Sequence, residues 1–428
     1  VSNLDDQLAS LRQRIAMIDA KYADAVPMAK PRRCRIEEWA DGAVVENEFG
    51  PHYQIERFFA GHKPHGSADV GALAEMPDTL LEVLSDNEIS GIPPERWAFL
   101  DTETTGLAGG SGTYPFLIGV GRITRDGFAV KQFFMREFAE ERSQLAALEW
   151  HLKDFDVLIT YNGKTYDQPL LETRFRMNRT RPPFARMRHL DLLHGARRLW
   201  KLRLESCKLI QLEQQILGVI REGDLPGHLI PFVYFDYLRD QEATRLVPIF
   251  HHNAIDILTL ACLTAIVPAA FRHTDRVTRG EELAGIARWL MNSGEGEQAL
   301  EVMKRAVDAG LPDRLLFRAL WDVACLEKKL GRPQAALPLL NELAGCRNEY
   351  RVCALEELAK YYEHKEPNLP LALQFTGQAL SFESSEELQR RRERLERKRA
   401  KTTLFPSSND RADAARLAAA DETILPLP

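Results

Sequence analysis

The stretch 97–106, Trp-Ala-Phe-Leu-Asp-Thr-Glu-Thr-Thr-Gly, constrains this chain more than any other. A short apolar run ends at Asp101, and Glu103 follows two residues later. Alternate residues of an extended chain share a face, so a strand over 97–100 sends both carboxylates to the same side. Two like charges held together repel, and a chain tolerates them most readily where a cation sits between them. The pattern predicts a buried strand with a divalent-metal site at its C-terminal end, completed by ligands from elsewhere in the chain.

At 428 residues the chain exceeds one typical core, which predicts two or three domains. An apolar fraction of 45% beside 28% charged residues is that of an ordinary globular protein. The longest nearly unbroken apolar run, residues 258–271, contains threonines and a proline and is too short to span a bilayer, so no membrane association is expected. No basic and apolar leader pattern opens the sequence, and a cytoplasmic location is expected. The six cysteines (Cys34, Cys207, Cys262, Cys325, Cys346, Cys353) form no Cys-x-x-Cys pair, which favours reduced thiols over a zinc cluster or a disulfide frame. A net charge of −6 would ordinarily count against nucleic acid, although a local basic face can hide within it.

Residues 4–22 place Leu4, Leu8, Leu11, Ile15 and Ile18 on one face, predicting an amphipathic helix that docks on the main domain. Residues 27–95 are rich in Pro, Gly and His and carry candidate strands near 44–48 and 53–59; they read as an extension packed on the next domain. His52, His62 and His65 have no acidic or cysteine partner at ligand spacing and read as loop histidines. From 97 the order becomes strand, strand, strand, helix, strand, helix, with strands over 97–100, 114–123, 128–136 and 157–161 and a helix over 138–153. The glycine-rich loop 106–112 lacks a Gly-Lys-Ser/Thr ending and precedes a strand. That excludes a P-loop and leaves a flexible rim, or a backbone close to a bound strand. Asp167 sits at the next helix entrance, where an N-cap is the plain structural reading.

Residues 174–203 hold ten Lys or Arg against one acid, Asp191, which favours a polyanion track over a merely solvated face. Asp191 lies in a short strand, 189–193, as a supporting acid, and a helix is expected around 204–217. Phe232, Tyr234, Phe235 and Tyr237 read as core packing, with base stacking the lesser option. Phe-His-His-Asn-Ala-Ile-Asp at 250–256 opens a helix on which His252 and Asp256, four apart, share a face.

In order along the chain, Asp101-x-Glu103, Asn162-x-x-x-Tyr-Asp167 and His252-x-x-x-Asp256 resemble the motifs of the DEDD exonuclease superfamily on the ribonuclease H-like fold. The fuller wording Asp101-Thr-Glu-Thr-Thr-Gly, Thr160-Tyr-Asn-Gly-Lys and His252-Asn253-x-x-Asp256 is similar to the bacterial YprB-like family over roughly residues 30–268. The resemblance implies an α/β domain with a mixed sheet flanked by helices, acting as a metal-dependent 3′–5′ exonuclease on single-stranded DNA or RNA. It implies that Asp101, Glu103 and Asp256 hold one Mg²⁺ or Mn²⁺ ion, that Asp101 bridges to a second, and that Asp167 holds the second mainly through water. His252 would take the proton of the attacking water or orient that water. The superfamily puts Tyr four or His five residues before the last acid, and this chain has His at both places, so His251 is the alternative. Thr104, Asn162, Arg174, Arg197 and Arg198 are the expected substrate contacts. A competing reading is a non-catalytic nucleic-acid-binding or scaffold protein; the presence of all four acids with a histidine argues against a decayed site.

Beyond residue 280 the Ala-Leu pairs at 299–300, 336–337 and 372–373 recur with a period in the mid-thirties, each preceded by a helix-length pattern and a turn. The period resembles tetratricopeptide repeats, so an all-α helical-hairpin array is expected, with a protein partner as its ligand. The charged stretch 384–401 reads as a capping helix with a solvated face. The expected layout is a helix over 1–26, an extension over 27–95, the ribonuclease H-like domain over 96–268, a linker over 269–280, the helical array over 281–401 and a tail over 402–428.

Overall fold

A computed structural model of the chain describes residue 16 and residues 35–85, 89–106 and 112–404. Nearly all of the helix expected over 4–22, the interior of the glycine-rich loop and the tail beyond 404 lie outside the described residues. The chain divides into two compact units, residues 1–196 with 206–272, and residues 197–205 with 273–428.

The first unit is built on a seven-stranded sheet in the order β1-β2-β7-β6-β5-β8-β9. Its strands are β1 (Gly42–Asn47), β2 (Gly50–Ala60), β5 (Trp97–Thr104), β6 (Pro115–Thr124), β7 (Gly127–Phe134), β8 (Val157–Thr160) and β9 (Arg188–Asp191); β3 (Pro64–His65) and β4 (Ala68–Asp69) form a separate small hairpin. The sheet is mixed. β5 runs antiparallel to β6 and parallel to β8, and β8 runs parallel to β9. The strands expected near 44–48 and 53–59 do more than decorate the domain, because β2 pairs with β7 and carries the sheet outward to β1.

The first four residues of β5 are buried, as expected of a central strand covered on both faces. Ala98 and Leu100 pack with Leu145, Leu148 and Leu152 of α1 (Glu141–Leu152) and Leu171 and Phe175 of α2 (Asp167–Met177). On the opposite face, Phe116 and Phe134 pack with Tyr234 and Tyr237 of α4 (Ile230–Asp240) and Phe250 of α5 (Val247–Arg272). The Tyr234 ring stacks on Phe116 at 3.9 Å, so Tyr234 and Tyr237 are core, whereas Phe235 is exposed. Gly119 and Gly121 of β6 let α5 approach closely. A Cβ at Gly119 would stand 2.3 Å from both Asn253 Oδ1 and Ile257 Cδ1.

Two element assignments differ from the sequence reading. The helix expected around 204–217 is displaced: α3 (Leu192–Trp200) starts directly after β9, and residues 209–217 form only a helical turn followed by a π-helical turn, Glu213–Leu217. The Asp191 carboxylate explains the early start, since its Oδ1 accepts from Leu193 N at 3.1 Å and satisfies a free N–H of the first turn. Helix α5 also runs through Pro268 to Arg272, where a linker was expected to begin. It is long and apolar enough by composition to cross a bilayer, but 67% of its apolar window is buried inside the protein.

Among its described residues the second unit contains seven complete α-helices: α6 (Gly280–Asn292), α7 (Gly296–Asp308), α8 (Asp313–Lys329), α9 (Pro333–Gly345), α10 (Arg351–His364), α11 (Leu369–Phe382) and α12 (Glu386–Leu404). Gly294, Gly310 and Gly331 take left-handed φ of 88°, 90° and 79° at helix ends, a conformation that glycine enters without steric cost. Ala299, Ala336 and Ala372 are fully buried at matching places in α7, α9 and α11, so the Ala-Leu periodicity marks where small side chains let successive helices close. In α12, Arg391, Arg394 and Lys398 converge on the buried Glu363 of α10. Three of the basic residues of that helix thus anchor it instead of lying on a solvated face.

Candidate active site

The site is organised by the pleat of β5. Trp97, Phe99, Asp101 and Glu103 share one face and Ala98, Leu100 and Thr102 the other, which is the alternation of any strand. The first set looks toward α5, where Asn253, fully buried, donates from Nδ2 to Asp101 Oδ2 at 2.9 Å. Asn253 is itself fixed by Gln132 of β7, whose Nε2 donates to Asn253 Oδ1 and to the Phe250 carbonyl, both at 2.8 Å. The second set looks toward α2, and Thr102 Oγ1 donates to Asp167 Oδ1 at 2.5 Å. One strand therefore addresses the site acids from both faces of the sheet. Asp167 is the first residue of α2, one past the N-cap position that Tyr166 occupies, and its carboxylate takes the Thr102 hydroxyl.

The parallel strands β8 and β9 set the neighbouring loop. Asn162 has a φ of 68°, and its N–H is held by Asp191 Oδ1 at 2.8 Å, while Lys164 N donates to Asp191 Oδ2 at 3.1 Å. Asp191 is thus the clamp of the turn that leads into Asp167. Thr104 at the end of β5 donates to the Gly106 carbonyl at 2.8 Å and shapes the start of the glycine-rich loop.

From α5, His252 brings Nε2 to 4.0 Å from Glu103 Oε1 and 3.6 Å from Asp256 Oδ2. The adjacent His251 is exposed and lines a cavity of about 240 Å³ with Arg221, Asp224, Pro248 and Ile255. Of the two histidines, His252 is the one that the fold aims at the carboxylates. Its Nδ1 lies 2.9 Å from both oxygens of Asp224. Arg221 bonds to Asp256 at 2.5 Å, to Glu213 at 2.7 Å and to Asp224 at 3.3 Å. Glu213 is fully buried on the π-helical turn and lies 3.5 Å from His65, which also bonds to Thr259 Oγ1 at 2.9 Å. His65 is therefore a buried structural residue, and so is His52, which is held by Ser143 Oγ at 2.8 Å.

Electrostatically this end of the sheet is overloaded with carboxylates. Burial, with the charges of Asp256 and Asp167, pushes Asp101 well above the ordinary range, against the pull of Asn253 and Arg221. Burial and the charges of Asp101, Asp256, Asp167 and Asp224 push Glu103 up as well. Burial raises Asp167 to about 6, although the Thr102 hydrogen bond opposes it. Hard oxygen donors crowded at the cost of mutual repulsion are a donor set suited to Mg²⁺ or Mn²⁺. Among the described residues no three His, Cys, Asp or Glu groups are gathered at ligating distance, and a guanidinium rests on Asp256. The fit is therefore one of donor chemistry and charge.

Not every basic residue of the run 174–203 is available to a polyanion. Arg174, 2% exposed, is locked in a bidentate pair with Glu141 and lies over the Tyr114 ring at 3.8 Å, which corrects its assignment as a substrate contact. Arg176 pairs with Glu172 at 2.7 Å, and Arg186 donates to the Phe155 carbonyl at 3.3 Å. Arg197 and Arg198 are exposed and belong to the second unit. Asp224, Arg221, Gln132 and the role of Asn253 escaped the sequence reading. The local signal for the first two is the turn-forming stretch Arg-Glu-Gly-Asp at 221–224, whose Gly223 takes a left-handed φ of 69°.

The family profile described as RNase_H superfamily matches residues 98–267. Over 288 residues the chain is 37% identical to the "Uncharacterized protein YprB" of Bacillus subtilis (strain 168), an alignment covering 66% of this chain and 68% of that protein. The chain belongs to the YprB family. Within it, the superfamily match spans Asp101, Glu103, Asp167, Asp224, His252 and Asp256 together. Ribonuclease H-like domains are typically nucleases that act on phosphodiester bonds and usually use divalent metals, so nucleic acid is the substrate class that the family points to.

Proposed function

We propose that this YprB-family protein is a metal-dependent 3′–5′ exonuclease acting on single-stranded nucleic acid. The observation that carries the reading is the convergence of Asp101, Glu103, Asp256 and His252 on one face of the end of β5, with Asp101 held by the buried Asn253. Asp101, Glu103 and Asp256 would hold one Mg²⁺ or Mn²⁺ ion, with Asp101 shared and Asp167 serving a second. Such ions, when bound, stabilise charge on the attacking and leaving oxygens of an in-line displacement. The chain's own residues do the rest. His252 receives the proton of the attacking water through Nε2, Asn253 and Thr102 hold the Asp101 and Asp167 carboxylates in place, and Asp191 keeps the loop before Asp167 in its left-handed turn. The order of the motifs along the chain, which matches the DEDD pattern, supports exonucleolytic attack from the 3′ end.

The helical unit, three hairpins closed by a capping helix, is proposed as a tetratricopeptide-like array that recruits a protein partner. Incubation of 3′- and 5′-labelled single-stranded DNA and RNA with Mn²⁺ tests the catalytic reading, comparing the natural protein with Asp101→Ala. Early loss of the 3′ label in the natural protein alone is expected. Identical traces for both proteins on every substrate would overturn it, and early loss of the 5′ label would reverse the polarity.

A further inference from the structure

We infer that Asp224 is the positioning residue of His252, selecting the tautomer and ring orientation in which Nε2 faces the carboxylate cluster unprotonated. The inference rests on the reading that His252 takes the proton of the attacking water.

An imidazole between carboxylates has a problem of direction. Its Nε2 lies 3.6 Å from Asp256 and 4.0 Å from Glu103, both of which accept hydrogen bonds when ionised. A nitrogen that already carries a hydrogen cannot receive another from water, so the ring must carry its hydrogen on the other nitrogen. Asp224 supplies the partner that holds it there. Its two oxygens stand 2.9 Å from Nδ1, closer than either site acid stands to Nε2. A carboxylate of this kind accepts only, so Nδ1 must donate, and the lone pair of the neutral ring is left on Nε2, toward the site.

Asp224 is in turn anchored. Arg221 reaches it at 3.3 Å and holds the fully buried Glu213 at 2.7 Å. Both Arg221 and Asp224 sit on the strap 218–224, whose Gly218 and Gly223 take left-handed φ of 71° and 69°. Only 7% of the Arg221 side chain and 12% of the Asp224 side chain remain exposed. A single surface carboxylate would rotate freely. This one is fastened at its back to a buried ion pair, which fixes the direction in which it presents its oxygens.

The full-length protein with ¹⁵N-labelled histidine, its His252 signals assigned with His252→Gln, allows the tautomer to be read directly from the ring-nitrogen shifts. The natural protein is expected to show Nδ1 protonated and Nε2 bare, and Asp224→Ala to move the hydrogen to Nε2. In the nuclease assay Asp224→Ala should lower kcat about 100-fold, the scale of a lost general base, with KM changed less than about threefold. Asp224→Leu, which keeps the bulk but carries no acceptor, stands in if Asp224→Ala does not fold. A His252 ring that keeps Nδ1 protonated in the folded variant, or a kcat that stays the same, would overturn the inference. If the natural protein cleaves nothing, the catalytic reading fails, while the tautomer measurement still decides the role of Asp224.

Discussion

Removal of the Asn253 amide should weaken metal binding more than it weakens the fold. Asn253 Nδ2 is the hydrogen-bond donor found on the Asp101 carboxylate among the described residues, at 2.9 Å, and it also approaches the Asp101 carbonyl at 3.3 Å. A hydrogen bond to a charged group contributes about 1.5–3 kcal/mol. Burial and neighbouring acids already push Asp101 toward its protonated form, and Asn253 is first among the groups that oppose this. In Asn253→Ala the ionised carboxylate loses that support. Any cation that requires it should bind about 10- to 150-fold more weakly, the affinity equivalent of the same energy. The fold suffers less, because Gln132 Nε2 keeps its bond to the Phe250 carbonyl and is not orphaned. Calorimetric titration of Mn²⁺ into the natural protein and Asn253→Ala near neutral pH, with melting curves for both, provides the comparison. Asn253→Asp sets another carboxylate against Asp101 and should bind more weakly still. A folded Asn253→Ala that binds Mn²⁺ within about twofold of the natural protein would refute the assignment of Asn253 as the support of Asp101.

Two further outcomes follow from buried ion pairs. Arg174→Met leaves Glu141 as an uncompensated buried charge and should cost about 3–5 kcal/mol in urea unfolding, with no loss of nucleic-acid binding by the protein that remains folded; weakened binding at unchanged stability would restore it as a substrate contact. Glu363 carries three cations from α12 and is held at about 2 instead of 4.5: burial alone would raise it, but the bonds from Arg394 and Lys398 win. Because the folded value is the lower one, the stability this clamp adds is whole above about 4.5 and drains away as pH falls toward about 2. Each pKa unit corresponds to about 1.4 kcal/mol. With Arg394 and Lys398 partly exposed and screened, Glu363→Gln should cost about 1–3 kcal/mol near neutral pH and flatten the acid limb of helix unfolding followed by circular dichroism. An unchanged acid limb would refute the clamp.

Some of this protein could be read from local pattern because local pattern has fixed geometry. The period of two along 97–104 places Asp101 and Glu103 on one face whatever surrounds them, and the spacing of four does the same for His252 and Asp256. The order of strands and helices over 97–177, and the buried alanines of the helical array, follow from periodicity in the same way. Charge offered no such guide. Ten basic residues in one run looked like a track, yet Arg174 turns to the buried Glu141 and Arg186 to the Phe155 carbonyl, because an arginine's long side chain can take its direction from tertiary neighbours rather than from sequence spacing.

What only the tertiary structure decided is how the acids are held and aimed. Asp224 lies 28 residues before His252 and Gln132 lies 121 before Asn253, and no periodicity links positions so far apart. The meeting of Gln132 with Asn253 depends on α5 lying against β6 and β7, which in turn needs the missing side chains of Gly119 and Gly121. The sequence by itself determined the reactive groups and the faces they share, since backbone geometry is local. The supports that orient those groups arise from packing between distant elements, and packing exists only once the sheet and its helices have closed.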